Sequence, residues 1–424
     1  MLQHVVVVTD GLIVDGGTAK VALESAAALA ESGLRVTVFG AYGEASRELA
    51  GHPNVRIVST GQTHAMASRN PLADSLRLIW NRRAHAKMTE LLATLDPATT
   101  IVHVHCWTKA LSSSVVAAVA RAKFPMVMTL HEYFTACPTG CLYLHRDRKV
   151  CTLTPMSVAC IVKNCDSRSY LYKAYRVVRQ LVQRTFGRIP SGIGEFITVS
   201  EFSRSVIERY LPRRRRVHPI ANPVPAERAT RVPAEASDTF VFIGRLSPEK
   251  GGVLLAEAAR SAGVKVTFVG DGPEREAILQ ANPDARITGW LDGAGVSAEL
   301  RAARCVVVPS LWYETFGLVV LEAAALGVPA IAPEDTAVRD LIVPGASGVA
   351  FERGNAQALA AALRAFSDDA AVERMSQGAY DAFWSNPPSM SAHVERLLAT
   401  YRDVLAATAR ASAGAGVTMP VRAS

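Results

Sequence analysis

The sequence predicts an α/β protein built from two doubly wound domains in series, and three observations carry that reading. Short β-branched runs alternate with longer Ala- and Leu-rich segments along nearly the whole chain. The alternation begins afresh near Phe240, giving two series of comparable length. The 424 residues, 49% apolar and 20% charged, are enough for two separate cores and too apolar for a disordered chain.

In the first series Val5–Val8, Val36–Phe39, Val55–Val58, Ile101–Val104, Met126–Thr129 and Phe196–Val199 read as strands. A run such as Val5–Val8 has no polar face, as a parallel strand covered by helices on both sides requires. Thr18–Ser32 carries an Ala-rich helical pattern ended by Gly33. Tyr170–Arg188 mixes Arg with Tyr, Leu and Val and reads as a basic amphipathic helix. The second series runs Phe240–Ile243, Lys265–Val269, Ala285–Thr288, Cys305–Pro309, Ala330–Ala332 and Gly348–Phe351. Helical patterns at Gly252–Ala262, Arg275–Ala281, Ala294–Ala303, Leu318–Leu326 and Asn355–Phe366 interleave with it. Pro212–Pro225, with four prolines and the Arg213–Arg216 run, marks the junction. The expected units are 1–218, with a cysteine-containing insertion at about 137–190, then 219–385. A last helical pattern, Pro388–Ala409, follows within 386–424, and the tail from Ser412 is expected to fray.

Charge divides along the same line. Met1–His218 holds 28 Lys and Arg against 15 Asp and Glu, and Pro219–Ser424 holds 18 against 23. A basic first half suggests an anionic partner. No run of 18 uncharged apolar residues is present, and the nearest, Leu318–Ala332, contains Glu322. The N-terminus lacks a basic stretch followed by a long apolar one, so no signal peptide and a cytoplasmic location are expected. The seven cysteines are then expected as thiols. Five of them, Cys137, Cys141, Cys151, Cys160 and Cys165, fall within 29 residues without a C-x-x-C pair. They read either as buried thiols or as a zinc site with His131 or His145.

The richest chemical stretch is Glu314-Thr-Phe-Gly317-Leu-Val-Val-Leu-Glu322. A helix starting near Gly317 would aim the N–H groups of Gly317 and Leu318 at an anion. Glu314 would sit at its mouth, and Glu322 inside it could accept from a ribose diol. Gly244-Arg245-Leu-Ser-Pro-Glu-Lys250-Gly251 follows a strand end, where Arg245 and Lys250 can meet a diphosphate. Asp15-Gly16-Gly17-Thr18 leaves room for a phosphate or sugar at the first helix. His131 follows another strand end. Each also has a plainer reading: a solvated helix acid, two loop cations, a tight turn, a structural histidine. No D-x-D occurs, so no metal site is expected, and cations and helix N-termini would have to meet diphosphate charge. The Arg-rich surface, including Arg82-Arg83 and Arg213–Arg216, suits anionic lipid headgroups; no nucleic-acid recognition module is visible.

Together these residues resemble the retaining glycosyltransferases of family 4, whose GT-B architecture sets two Rossmann-like domains across a cleft. The ordered set is Gly244 to Gly251, Val269-Gly-Asp-Gly-Pro273, Ile287-Thr-Gly-Trp290, and Pro309-Ser310 through Glu322 to Pro329. The segment His131 to Pro138, followed by Asn164 to Tyr170, is similar to a branch that assembles bacterial surface polysaccharides. The resemblance implies that Arg245 and Lys250 hold the donor diphosphate beside the Gly317 and Leu318 amides. Glu322 would bind ribose and Glu314 the donor sugar. His131 would approach the sugar, Gly16 and Gly17 would face the donor phosphate and acceptor, and the last helix would return to the first domain. Asn222-Pro223-Val224 stands where the family often has Asn-Gly-Val. The implied reaction transfers a sugar with retention, without metal or cofactor, from a nucleotide-sugar to a glycan or lipid-diphosphate acceptor at the inner membrane face. A uridine diphosphate donor is favoured over guanosine diphosphate–mannose. Two alternatives from other classes are a nucleotide-sugar epimerase of the same fold and a non-catalytic nucleotide-sugar binding protein.

Overall fold

The computed structural model describes residues 1–62 and 71–415. Fifteen strands form two main parallel sheets and one small ribbon among these residues. The first sheet contains β1 (His4–Val8), β2 (Arg35–Gly40), β3 (Val55–Ser59), β4 (Thr100–Val104) and β5 (Met126–Leu130). β6 (Tyr143–Leu144) and β7 (Lys149–Val150) pair separately as an antiparallel ribbon in the cysteine-containing segment. β8 (Glu195–Thr198) and β9 (Val217–Pro219) then complete the first sheet, in the order β3-β2-β1-β4-β5-β8-β9. The second sheet holds β10 (Thr239–Ile243), β11 (Lys265–Val269), β12 (Arg286–Gly289), β13 (Cys305–Val307), β14 (Ala330–Pro333) and β15 (Gly348–Phe351). Its order is β12-β11-β10-β13-β14-β15.

The central strands form where the sequence is apolar on both faces. β1, β4 and β5 are buried throughout, and their side chains feed apolar clusters on opposite sides of the first sheet. The second sheet is likewise packed on both sides. Two parallel sheets, each covered by helices, give the GT-B architecture.

Three local features differ from the sequence reading. β9 lies across the expected boundary at 218/219, because Val217–Pro219 pairs with Phe196–Thr198 and so belongs to the first sheet. β13 stops at Val307, and Val308–Pro309 turn toward the loop before Gly317. The third is the helix Tyr170–Thr185, which is reversed relative to water. Its buried residues are Lys173, Gln180 and Gln183, whereas Leu171, Val178 and Leu181 are exposed. At about 100° per residue these two sets occupy opposite sides. Arg176 turns inward to Asp166, and Arg179 and Arg184 bond carbonyls of Thr108, Pro138 and Ala136.

The final helix, Met390–Ala415, lies on the helix Gly17–Glu31 of the first domain. Its Tyr401 hydroxyl meets His103 Nδ1 at 2.6 Å, and His393 Nε2 meets Ser25 Oγ at 3.1 Å. The chain therefore crosses between domains twice, and Val224 N–H donates to the Pro388 carbonyl at 2.9 Å where the crossings run together. The tail expected to fray from Ser412 continues as helix to Ala415, and 416–424 lies outside the described residues.

Candidate functional site

Both strand orders reverse direction once, between β1 and β4 and between β10 and β13. A doubly wound sheet opens a crevice at the carboxyl ends of strands at such a reversal. Here the two crevices face each other and enclose a cleft of about 330 Å³. It is lined by Gly17, Thr18, His131 and Glu132 from one side, and by Lys250, Ser310, Trp312, Glu314, Gly317 and Leu318 from the other.

On the second domain, β10 leads into a single 3-10 turn, Pro248–Lys250, closed by Gly251 at φ 73°. A Cβ on Gly251 would stand 2.1 Å from the Pro309 carbonyl oxygen, so glycine lets this turn press against the loop after β13. The close approach brings Lys250 Nζ to Glu314 at 2.9 and 3.0 Å. Ser310 Oγ and Trp312 Nε1 donate to the same carboxylate at 2.8 and 3.0 Å. Burial disfavours the Lys250 ammonium, but Glu314, with Glu249 and Glu132, outweighs it and holds the pKa above its ordinary value. Beside this pair the helix Leu318–Ala325 begins at Gly317 with no side-chain cap. Its first N–H groups and the Lys250 ammonium thus make one wall of the cleft attractive to an anion.

The opposite wall comes from β5 and the loop after β1. His131 is buried, and its Nε2 lies 3.1 Å from His105 Nδ1. Burial lowers the pKa of His131 to about 3, and that of His103 likewise, with neighbouring histidines adding to the effect. Both imidazoles are thermodynamically harder to protonate in the folded chain than at the ordinary value of 6.5. Between those values the unfolded chain binds protons that the folded chain refuses. Stability is therefore complete above about pH 6.5 and falls as pH drops toward 3, by about 1.4 kcal/mol per unit per histidine. Urea melts at pH 7.5 and pH 5 should show that loss, while ring proton shifts of His131 stay flat between pH 5 and 8; a midpoint near 6.5 would refute it.

Lys250, Glu314, Gly317, Leu318, His131 and Gly17 therefore converge, as the sequence suggests. Gly17 comes so close that an added Cβ would lie 3.2 Å from Leu318 Cδ1 across the cleft. The remaining expected residues stand differently. Arg245, three residues before the Pro248–Lys250 turn, is exposed and is not among the residues that line the cleft. Gly16 lies one residue behind the lining. Glu322 is engaged by Lys20 of the other domain at 2.9 Å.

Sequence reasoning passed over several residues. Asp10, at the end of β1, is buried and accepts the backbone N–H groups of Lys109, Ala110 and Leu111 at 2.8–2.9 Å. It fixes the loop after His105, and its position at a strand end was the available signal. Lys20 is separated from Glu322 by 302 residues, and nothing local announces it. Asn222, which the sequence marks only by its departure from Asn-Gly-Val, lines the cleft with its Oδ1 buried and without a hydrogen-bond partner among the described residues. Thr315 ties the walls together, its hydroxyl donating to the His131 carbonyl at 2.9 Å while its own carbonyl accepts from Ser200 at 2.7 Å. Among the described residues no group of three or more His, Cys, Asp or Glu side chains is placed to hold a metal ion.

Comparison with known proteins places this geometry. Residues 15–228 match the model for Glycosyltransferase Family 4, and residues 224–382 match that for glycosyl transferases group 1. A GDP-mannose-dependent alpha-mannosyltransferase of Corynebacterium glutamicum is 32% identical over 197 residues, which is 46% of this chain and 47% of the relative. The protein of the same name from Mycobacterium tuberculosis is 42% identical over 113 residues, 27% of this chain and 30% of that one. The chain thus spans about half the length, or less, of these curated relatives. Sucrose-phosphate synthase from Thermosynechococcus elongatus superposes with a TM-score of 0.70 at 18% identity, covering 96% of this chain and all of that one. Anabaena HepE with UDP and glucose gives 0.64 at 16%, covering 95% and 100%; both likenesses speak for the fold. With the first domain matched across more than half of the chain, and both sheets and the cleft in place, the protein belongs to glycosyltransferase family 4.

Proposed function

We propose that the protein transfers a hexosyl unit from a nucleotide-sugar to a glycan or lipid-diphosphate-linked acceptor, with retention at the anomeric carbon and without metal, in the assembly of bacterial surface polysaccharide. The observation that carries this reading is the Lys250–Glu314 pair beside the uncapped helix at Gly317, facing Gly17 and His131 across the cleft. In the proposed step the acceptor oxygen bonds to the anomeric carbon as its bond to the diphosphate oxygen breaks. The acceptor proton passes to that leaving oxygen on the same face. Lys250 and the helix N-terminus stabilise the charge that grows there, which favours the transition state over the bound donor. Glu314 meets the sugar hydroxyls and Glu322 the ribose, with Lys20 sharing the latter carboxylate.

A uridine base is the choice the sequence favours, whereas two relatives are named for GDP-mannose. A thermal-shift panel of nucleoside diphosphates and their sugars decides. A specific ligand at 100 times its Kd stabilises by about 2.7 kcal/mol, which no diphosphate will produce if the assignment is mistaken. Conversion of the donor to a different nucleotide-sugar without acceptor would indicate an epimerase; binding without release of diphosphate to any acceptor would indicate a binding protein.

We infer also that the first domain rests on an anionic membrane surface. Support comes from the reversed helix: Leu171, Val178, Leu181 and Phe186 face outward, as do Val158 and Val162 on the packed neighbour Val158–Val162. Exposed Arg168 and Arg188 lie at its two ends. Apolar side chains with a cation at each end suit the boundary between headgroups and acyl chains. Liposomes with anionic lipid should float the protein at low salt, and Leu171→Asp with Leu181→Asp should abolish flotation; unchanged flotation of that variant would reject this face.

A further inference from the structure

The cysteine-containing segment buries a lysine that pairs with no carboxylate among the described residues. Lys173 is 0% exposed, and its Nζ reaches Cys165 Sγ at 3.2 Å and Cys160 Sγ at 3.6 Å. These sulfurs are its side-chain hydrogen-bond partners, and the nearby buried Asp166 is taken by Arg176. Interior lysines ordinarily pair with an acid, because an unaccompanied buried ammonium is costly. Here two cysteines, each about 5% exposed, take that place. Cys160 lies on the surface helix Val158–Val162, so solvent and small solutes are one side chain away.

We propose that Lys173 and Cys165 form a reversible oxidative cross-link, an N–O–S bridge between Nζ and Sγ, with hydrogen peroxide as the oxidant. One peroxide transfers an oxygen to the Cys165 sulfur: an S–O bond forms, the O–O bond breaks, and water leaves with the sulfenic acid in place. Lys173 gives its ammonium proton to solvent, and a second peroxide oxidises the amine to the hydroxylamine, again releasing water. The hydroxylamine oxygen then attacks the sulfenic sulfur, and loss of a third water leaves N–O–S. Sulfur and nitrogen each give up two electrons, and two peroxides accept the four. Two dithiol equivalents reverse the change, returning amine, thiol and one water. Geometry favours this bridge over a direct S–N bond. An inserted oxygen spans nearly the present separation, whereas a direct bond needs the two atoms to close to roughly half of it. The bridge would tie the helix Tyr170–Thr185 to the segment around Cys165, stiffening a region that reaches the second domain through the Arg148–Glu274 ion pair.

The full chain treated with peroxide, alkylated and weighed provides the test. Expected is a gain of one oxygen less two hydrogens, reversed by dithiothreitol. Trypsin should fail to cut after Lys173, and the peptides Asn164–Arg168 and Ser169–Arg176 should appear joined. Cys165→Ser and Lys173→Arg should each abolish the joined product, and the native chain alone decides if either fails to fold. Loss of two hydrogens mapped to a Cys160–Cys165 disulfide would overturn the proposal. Whole oxygens on Cys165 with Lys173 still cleaved, or no change at all, would do the same.

Discussion

Replacing Lys250 by alanine is expected to reduce donor turnover by roughly 10²–10³-fold, the usual cost of deleting one preorganised group that stabilises developing negative charge. Lys250 is the cation that lines the cleft beside the helix N-terminus, whereas Arg245 is exposed and outside the lining. Loss of the ammonium also leaves Glu314 facing an incoming diphosphate with its negative charge uncompensated, so donor affinity should fall together with turnover. The fold should tolerate the change, because Ser310 and Trp312 continue to donate to the carboxylate. Glu314→Gln separates the two effects: it removes the repulsion and the pairing at once, so Lys250 should still attract diphosphate while sugar discrimination weakens. Nucleotide release and diphosphate binding measured on both variants check this. Full turnover by Lys250→Ala would remove the cleft assignment.

Asp10→Ala should carry the largest stability penalty of any single change near the cleft, about 3–5 kcal/mol. The carboxylate is 1% exposed and answers three backbone N–H groups along with the Cys106 thiol. Alanine leaves those donors buried without partners, and two of them belong to residues inside the first core, Ala110 and Leu111. For a domain of this size the drop corresponds to roughly 10 °C or more in melting temperature. Asp10→Asn keeps the shape but turns an NH₂ toward N–H donors, so it should recover less than half of the loss. Guanidinium unfolding of both variants is the measurement. A penalty below about 1 kcal/mol would show that water serves these groups instead.

How far the sequence foretold this depends on where the deciding information lies. Val5–Val8 is legible because a strand buried on both faces must be apolar at every position. β9 is not: three residues ending in Pro219, held only along one edge, have no pattern of their own and form because β8 offers a free edge. The helix Tyr170–Thr185 shows the limit of periodicity. Spacing separates a polar from an apolar side, but only the packing says which side meets water, and here Lys173 and two glutamines face in. Arg245 and Lys250 share a loop, yet Lys250 lines the cleft and Arg245 is exposed outside it, a division that spacing does not announce. The reach of Lys20 to Glu322 exists only once two domains close on each other.

The paired crossings between the domains have a mechanical consequence. Two tethers lying side by side, clasped by Val224 and Pro388 and stiffened by Pro223, Pro225 and Pro387, behave as the knuckles of a door hinge. Swinging about the line of the pin is easy, whereas sliding or twisting one leaf against the other would stretch a tether. Each contact that spans the gap, from Lys20–Glu322 and Arg148–Glu274 to Thr315 on His131, is then released along a single coordinate. One degree of freedom then suffices to open the cleft, and every latch along the gap shares it.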